Sequence, residues 1–337
     1  MSYTSESVFP PGTKLAHVQK VVYLLGYKKV DDGLKVPDRT DCCHWSELKD
    51  YQSHTGVELD IYLETDGTIK VCTRSRSSRS YWDLIHQNKT LKLLRDLFRG
   101  YFTTDAGRNR YYTPEEPPPS PLASGCYLAR WQHHNSLMLA RMYLMNRMFE
   151  GQSAKDLSTG MSWLDELNPR LLSNNFILPF AVAVWEDYFR STFTAVLRYS
   201  KQRESALKRA RLTHANFEQI AVGAQSIEQA VAESFSFQRP SSIHENFRLL
   251  DPKLDIGGVL RKPYKRRKVS LFDSLETLVE DRNEFVHTGR MNLKLFDAEL
   301  RKALADFEAG VNRVYECVGD HYGFFLQQPL GGLPTNG

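Results

Sequence analysis

Nine residues decide how this chain can be divided. Residues 113–121 read TPEEPPPSP, with five prolines in nine positions. Proline has no N–H to give a helix or a central strand, so the stretch is expected to run as a stiff polyproline-type linker. The flanks, 1–112 and 122–337, are each long enough for a domain of their own.

The two flanks differ in pattern. Before the prolines, Val57, Leu59, Ile61 and Leu63 alternate with polar residues, Asp66-Gly67 supplies a preferred hairpin turn, and Ile69 and Val71 resume the alternation. A hairpin over about 57–73 cannot stand alone and needs a packing partner. The segment 81–98 offers one, with Trp82, Ile85, Leu91, Leu94 and Phe98 at mostly helical spacing. Residues 1–112 therefore read as a small α+β domain. After the prolines the pattern turns helical, over 122–149, 175–201, 214–237, 270–288 and 294–325, with short turns at 242–250 and 256–260. Pro179 is expected in the first turn of its helix, where a missing N–H costs little. The chain as a whole reads as mainly α, with a helical connector over 122–172, a helical domain over 173–326 and a flexible tail over 327–337.

Composition narrows the class. With 41% hydrophobic and 25% charged residues the chain can build a packed core, which excludes an intrinsically disordered one. No apolar run approaches ~18 residues, so no membrane span is expected. The start, MSYTSESVFPPGTK, lacks a basic segment followed by an apolar one, and a cytoplasmic protein is expected. Cys42, Cys43, Cys72, Cys126 and Cys317 make an odd set, in keeping with reduced thiols. Cys42-Cys43-His44 with His54 and Cys72 has no C-x₂-C pair, and adjacent cysteines place two sulfurs poorly on one tetrahedral ion. No metal ligand set and no cofactor is expected. Walker, H-E-x-x-H and G-x-S-x-G motifs are absent.

A net charge of +4 does not by itself announce a nucleic-acid partner. The distribution says more. RKPYKRRK packs Arg261, Lys262, Lys265, Arg266, Arg267 and Lys268 around Pro263 and Tyr264 without an acid. Such a loop can grip phosphates, with Tyr264 placed to stack on a base; its bland alternative is a solvated surface loop.

The sharpest chemistry sits just beyond, in LETLVEDRNEFVHTGR at 275–290. Asn283 and His287 are at i, i+4 and share a helix face, and Arg282 precedes them by one residue. Histidine can carry a proton from an attacking 2′-hydroxyl or to a leaving 5′-oxygen, and arginine can stabilise the crowded phosphorane between. Spacing alone is weak, since Arg39/His44, Arg209/His214 and Arg239/His244 repeat it. The bland alternative is a histidine that favours the C-terminal dipole of its own helix before Gly289.

Arg282-Asn283-x₃-His287 resembles the R-x₄₋₆-H signature of HEPN domains. Trp185-Glu186-Asp187-Tyr188-Phe189-Arg190 is similar to an aromatic–acidic patch on an early helix of these domains, and Glu186-x₃-Arg190 to their E-x₃-[KR] pattern. A leucine-rich run at 271–279 leads into the motif. The resemblance covers roughly 174–325 and leaves 1–120 unrecognised. It implies an antiparallel helical bundle and homodimers in which two motifs face each other across a composite site. Many members are metal-independent endoribonucleases, often toxins or antiviral effectors that cleave tRNA or other cellular RNA and are held by a neutralising or activating protein partner. Others are non-catalytic RNA- or nucleotide-binding modules or scaffolds. In this chain the resemblance assigns catalysis to Arg282, Asn283 and His287, with Glu186 and Arg190 in support.

Overall fold

The computed structural model describes residues 2–324, with the exception of Glu116, residues 150–157 and Lys201. The tail expected at 327–337 lies outside the described residues. The chain divides between Ser124 and Gly125 into two compact units.

The first unit runs β1 (Tyr3–Phe9), α1 (Leu15–Leu24), β2 (Lys28–Lys29), β3 (Arg39–Trp45), β4 (Val57–Leu63), β5 (Ile69–Ser75), α2 (Tyr81–Phe98), β6 (Tyr101–Thr104) and β7 (Gly107–Arg108). Its described strands form one antiparallel sheet in the order β2-β3-β4-β5-β1-β6-β7. The expected hairpin is present as β4 and β5, with Leu63 opposite Ile69. Its inward residues Val57, Leu59, Ile61, Ile69 and Val71 pack with Val18 and Val22 of α1 and Leu94 of α2. The helix expected at 81–98 is α2, and it opens on a capping box. Ser80 Oγ accepts from the Asp83 N–H at 3.0 Å, and Asp83 Oδ2 accepts from the Ser80 N–H at 2.8 Å.

The sheet is larger than its sequence pattern suggests, because β1 turns polar side chains inward. The Ser5 and Thr73 hydroxyls are hydrogen-bonded at 2.6 Å. From α2, Gln87 Nε2 donates to Thr73 Oγ1 at 3.1 Å, and its Oε1 accepts from Ser75 Oγ at 2.8 Å. A buried layer of neutral hydrogen bonds takes the place of an apolar stripe there.

Residues 113–120 hold no helix or strand among those described, as the prolines require, and Pro121 opens the next helix. The second unit is helical throughout its described residues. It comprises α3 (Pro121–Phe149), α4 (Ser162–Asp165), α5 (Pro169–Tyr199), α6 (Glu204–Arg209), α7 (His214–Ala221), α8 (Ile227–Glu233), α9 (Pro240–Leu250), α10 (Ile256–Arg261), α11 (Leu271–Thr288) and α12 (Asp297–Tyr322).

Three sequence expectations are corrected. Pro179 lies well inside α5 rather than in its first turn; that place belongs to Pro169, where the Asn168 side chain accepts from the Arg170 N–H at 3.0 Å. The single helix expected at 214–237 is two, α7 and α8. Gly223 at φ +73° ends the first stretch, and Ser226 Oγ caps the second through the Gln229 N–H. And α3 is more than a connector. Arg130 donates to Asn312 at 2.9 Å, Arg141 to Glu308 at 2.6 Å and Arg147 to Asp297 at 3.0 Å, so α3 lies antiparallel along α12 within the second unit.

The core of that unit centres on Trp185, fully buried in α5. It packs on Gly310 of α12, where an added Cβ would stand 2.9 Å from the indole ring and 3.1 Å from Leu275 of α11. Glycine is what lets these three helices approach so closely. No helix among the described residues is long and apolar enough to cross a membrane.

Candidate functional site

Helix α11 carries the motif. Ser270 caps it by accepting from the Asp273 N–H at 3.1 Å, and Gly289 ends it at φ +73°. Leu271, Phe272, Leu275 and Val279 are its buried residues, so the core anchors its first three turns. Arg282, Asn283 and His287 lie on the last turns, where the helix emerges. Among the four Arg-x₄-His pairs, this is the one contained in a single helix: Arg39 and His44 share strand β3, Arg209 ends α6 before His214 opens α7, and Arg239 precedes α9.

Arg282 Nη1 donates to Asn283 Oδ1 at 2.7 Å. Its Nε is buried without a hydrogen-bond partner among the described residues, so the guanidinium is held by its neighbour with donor capacity unspent. His287 is exposed one turn beyond Asn283. The surrounding acids are mostly paired. Glu280 pairs with Arg239 at 3.0 Å and Glu284 with Arg290 at 2.7 Å. The half-buried Asp281 accepts from Asn292 Nδ2 at 2.7 Å, and burial pushes its carboxyl above the usual carboxylate range.

Glu186 and Arg190 hold each other at 2.7 Å on α5. Helix α5 runs antiparallel to α11: Phe176 meets Phe285 edge-on at 5.2 Å, while Trp185 reaches the level of Leu275. Glu186 therefore stands some seven residues of α11, about 10 Å, from the level of Arg282. The two places singled out by the sequence are on facing helices, but two turns apart.

The loop before α11 is more differentiated than its sequence. Arg267 Nη1 donates to both carboxylate oxygens of Asp306 at 2.7 Å; the Asp306 side chain is only 1% exposed and also accepts from Ser274 Oγ at 2.9 Å. Arg267 is thus a structural tie. Arg261 stacks on the Phe272 ring at 3.6 Å. Arg313 of α12 donates to the carbonyls of Lys262 at 2.8 Å and Pro263 at 2.6 Å and fixes the loop backbone. Tyr264 is half-buried, with Lys265, Arg267 and Arg313 within 5.0–5.2 Å of its ring. Arg261, Lys262, Lys265, Arg266 and Lys268 are exposed and enter no ion pair among the described residues. Beside the loop, a cleft of about 550 Å³ opens between the α9–α10 turn and α12, lined by the cations Lys253, Lys262 and Arg313 and by the acids Glu316 and Asp320.

Sequence spacing did not reveal the apolar stripe on the outer face of α5, where Leu172, Phe176 and Phe180 are 41%, 62% and 41% exposed. Its signal is there in hindsight: the run FILPF is apolar on both sides of the helix, and one helix face cannot bury both. Phe285 joins this stripe from α11, and the exposed Val286 precedes His287. On the metal question, no group of three or more His, Cys, Asp or Glu able to hold an ion occurs among the described residues. Cys42 and Cys72 flank Asp60 on adjacent strands, two strand spacings or ~9.5 Å apart, too far to share a tetrahedral ion. No protein-family model, no curated protein and no solved structure matches the chain.

Proposed function

We propose that the chain is a metal-independent endoribonuclease of HEPN type, acting in the cytoplasm as a toxin or antiviral effector on tRNA or other cellular RNA. The observation that carries this reading is the grouping of Arg282, Asn283 and exposed His287 on the emerging end of α11. Asn283 steadies the guanidinium and leaves its outer N–H groups for a phosphate oxygen. His287 accepts the proton of a 2′-hydroxyl as that oxygen attacks phosphorus. Arg282 offsets the charge of the phosphorane. The P–O5′ bond then breaks, the 5′-oxygen takes a proton, and the products are a 2′,3′-cyclic phosphate and a 5′-hydroxyl.

That sequence needs a base and an acid, and one chain offers a single histidine at this place. A homodimer about a two-fold supplies the second from an identical surface. The uncovered stripe of Leu172, Phe176 and Phe180 beside Phe285 supports such pairing, because its burial would draw two α11 ends together. The first unit would then receive a trigger or the neutralising partner.

The acidic neighbours Glu280, Asp281 and Glu284 favour a second reading, a non-catalytic RNA- or nucleotide-binding or scaffold protein of the same fold. The two part on products. Wild type and His287→Ala are expressed side by side and cellular RNA is sequenced for new 5′-hydroxyl ends. Ends present only with wild type support the nuclease; RNA bound by both and cut by neither supports the scaffold.

A further inference from the structure

The two features that the sequence joins, the basic loop and the motif, lie at opposite ends of α11. Leu271 follows the loop directly, and His287 stands sixteen residues later on the same helix. At 1.5 Å per residue that is about 24 Å. A phosphate held on the loop of one chain is therefore not the phosphate at that chain's His287.

We propose that the loop and its cleft form an RNA-binding exosite that sets a minimum length for the substrate. This rests on the nuclease reading and goes past it, by assigning the loop to a distant part of the RNA. Five exposed cations stand on a backbone fixed by Arg313 and by the Arg267–Asp306 tie, so the charge is presented from a rigid mount. The adjoining cleft shares Lys262 and Pro263 with the loop, its volume of about 550 Å³ suits a nucleotide, and Lys253, Lys262 and Arg313 outnumber the acids Glu316 and Asp320 in its lining. Tyr264 among cations matches the interleaving of aromatic and basic groups on which single strands lie. An anionic membrane fits less well: Val269 is the one large apolar side chain exposed in this loop among the described residues, too little to insert. Along a stacked strand rising about 3.4 Å per nucleotide, 24 Å corresponds to roughly seven nucleotides. RNA shorter than this reaches one place or the other; longer RNA reaches both.

The test uses the full-length protein and the triple variant Lys265→Ala/Arg266→Ala/Lys268→Ala, which spares the structural Arg267. Cleavage is timed on single-stranded RNAs of 5, 8, 12 and 20 nucleotides that share one cleavage sequence. For wild type the rate at sub-saturating RNA should step up once length passes roughly seven nucleotides. For the variant the ratio of the 20-mer rate to the 5-mer rate should fall toward one. A loss that is equal at every length would place the loop beside the chemistry and overturn the exosite, as would a variant indistinguishable from wild type. Binding is measured in parallel on the His287→Ala background with the 20-mer. The salt slope should flatten by roughly 2 when three cations are removed, at about 0.7 per contact. If no RNA is cut but the slope flattens, the nuclease reading fails while the loop still binds RNA. Unchanged RNA binding, with loss of binding to phosphatidylserine vesicles, would hand the loop to a membrane and overturn the proposal.

Discussion

The two ends of α11 treat charge in opposite ways. At its start, a buried carboxylate, Asp306, is answered by Arg267 and Ser274, Arg313 ties down the loop backbone, Arg261 stacks on Phe272, and Lys262, Lys265, Arg266 and Lys268 are exposed. At its end, Glu280 and Glu284 are paired with Arg239 and Arg290, Arg282 is half-covered with Nε unpartnered among the described residues, His287 is exposed, and apolar rings lie open beside it. The first end is complete within one chain. At the second, Arg282 Nε has no partner and Leu172, Phe176 and Phe180 are exposed among the described residues. On the proposed reading, the first end is a binding mount and the second a site that a second copy would complete.

The sharpest test of that contrast is catalytic. His287→Ala and Arg282→Ala should each lower RNA cleavage by about 10²–10⁴-fold. His287 is exposed, so its loss should change stability by no more than about 0.5 kcal/mol. Cleavage by wild type should persist in EDTA. Full activity in either variant, in protein free of contaminating nuclease, would remove the site assignment.

At the other end the largest effect should fall on stability. Arg267→Ala leaves Asp306 buried with no cation, only the Ser274 hydroxyl still donating to it, at a cost of roughly 3 kcal/mol. Its neighbour Arg266→Ala should stay within about 0.5 kcal/mol. Thermal unfolding of the two variants decides whether the loop contains one tie among free cations. Equal midpoints would erase the distinction. A triple alanine change that included Arg267 would mix both effects, which is why the RNA-binding test leaves it out.

How much of this was legible beforehand follows from what the signals consist of. The β4–β5 hairpin and α11 were visible because their inward faces are apolar at period 2 or 3.6; α2 was visible from its apolar spacing although Asp83, His86, Gln87 and Thr90 are among its buried residues, and caps at Ser80 and Ser270 mark two of the starts. Strand β1 was invisible because Ser5 and Ser7 face inward as polar residues; Ser5 is matched by Thr73, which Gln87 of α2 also reaches, partners that no local pattern announces. Helix α3 read as a connector because Arg130, Arg141 and Arg147 look like surface cations; their partners lie about 150 residues or more further on. The motif itself was legible as residue types on one helix. The distinct duty of Arg267 was not, since Asp306 is 39 residues away and nothing in RKPYKRRK separates one arginine from the next. Long-range pairing of polar groups is the common thread in what the sequence concealed.

The open stripe on α5 allows a smaller test of the incomplete end. Phe176→Asp places a charge in the surface offered for pairing. If the two-fold runs through this stripe, sedimentation should show the variant shifted to monomer, with a loss of at least about 2 kcal/mol in association. Cleavage should fall with it and recover as the protein concentration is raised. An active, strictly monomeric wild type would break the composite site outright.

The smallest effects concern two carboxylates whose environments push in opposite directions. Glu308, two residues along α12 from Asp306, receives His134 and Arg141 from α3 and is held down at about 2. A depressed carboxylate stabilises the fold above the ordinary range of its unfolded form, and that contribution is lost as pH falls from about 4.5 toward 2. Asp281 is raised by burial beside the motif. Here the sign reverses: the folded state holds the proton longer, so stability is greatest below the unfolded value of 3.8 and declines as pH rises through the folded one. Glu308→Gln should therefore lower the unfolding midpoint at pH 7 and converge on wild type near pH 2. Asp281→Asn retains an acceptor for Asn292 and should match or exceed wild type at pH 7, with the gap closing as pH falls toward 4. Unfolding followed by circular dichroism across this range reads both. If Asp281→Asn instead loses stability at pH 7, its charge is wanted in the folded monomer, and the α11 end is a finished acidic surface rather than one awaiting a partner.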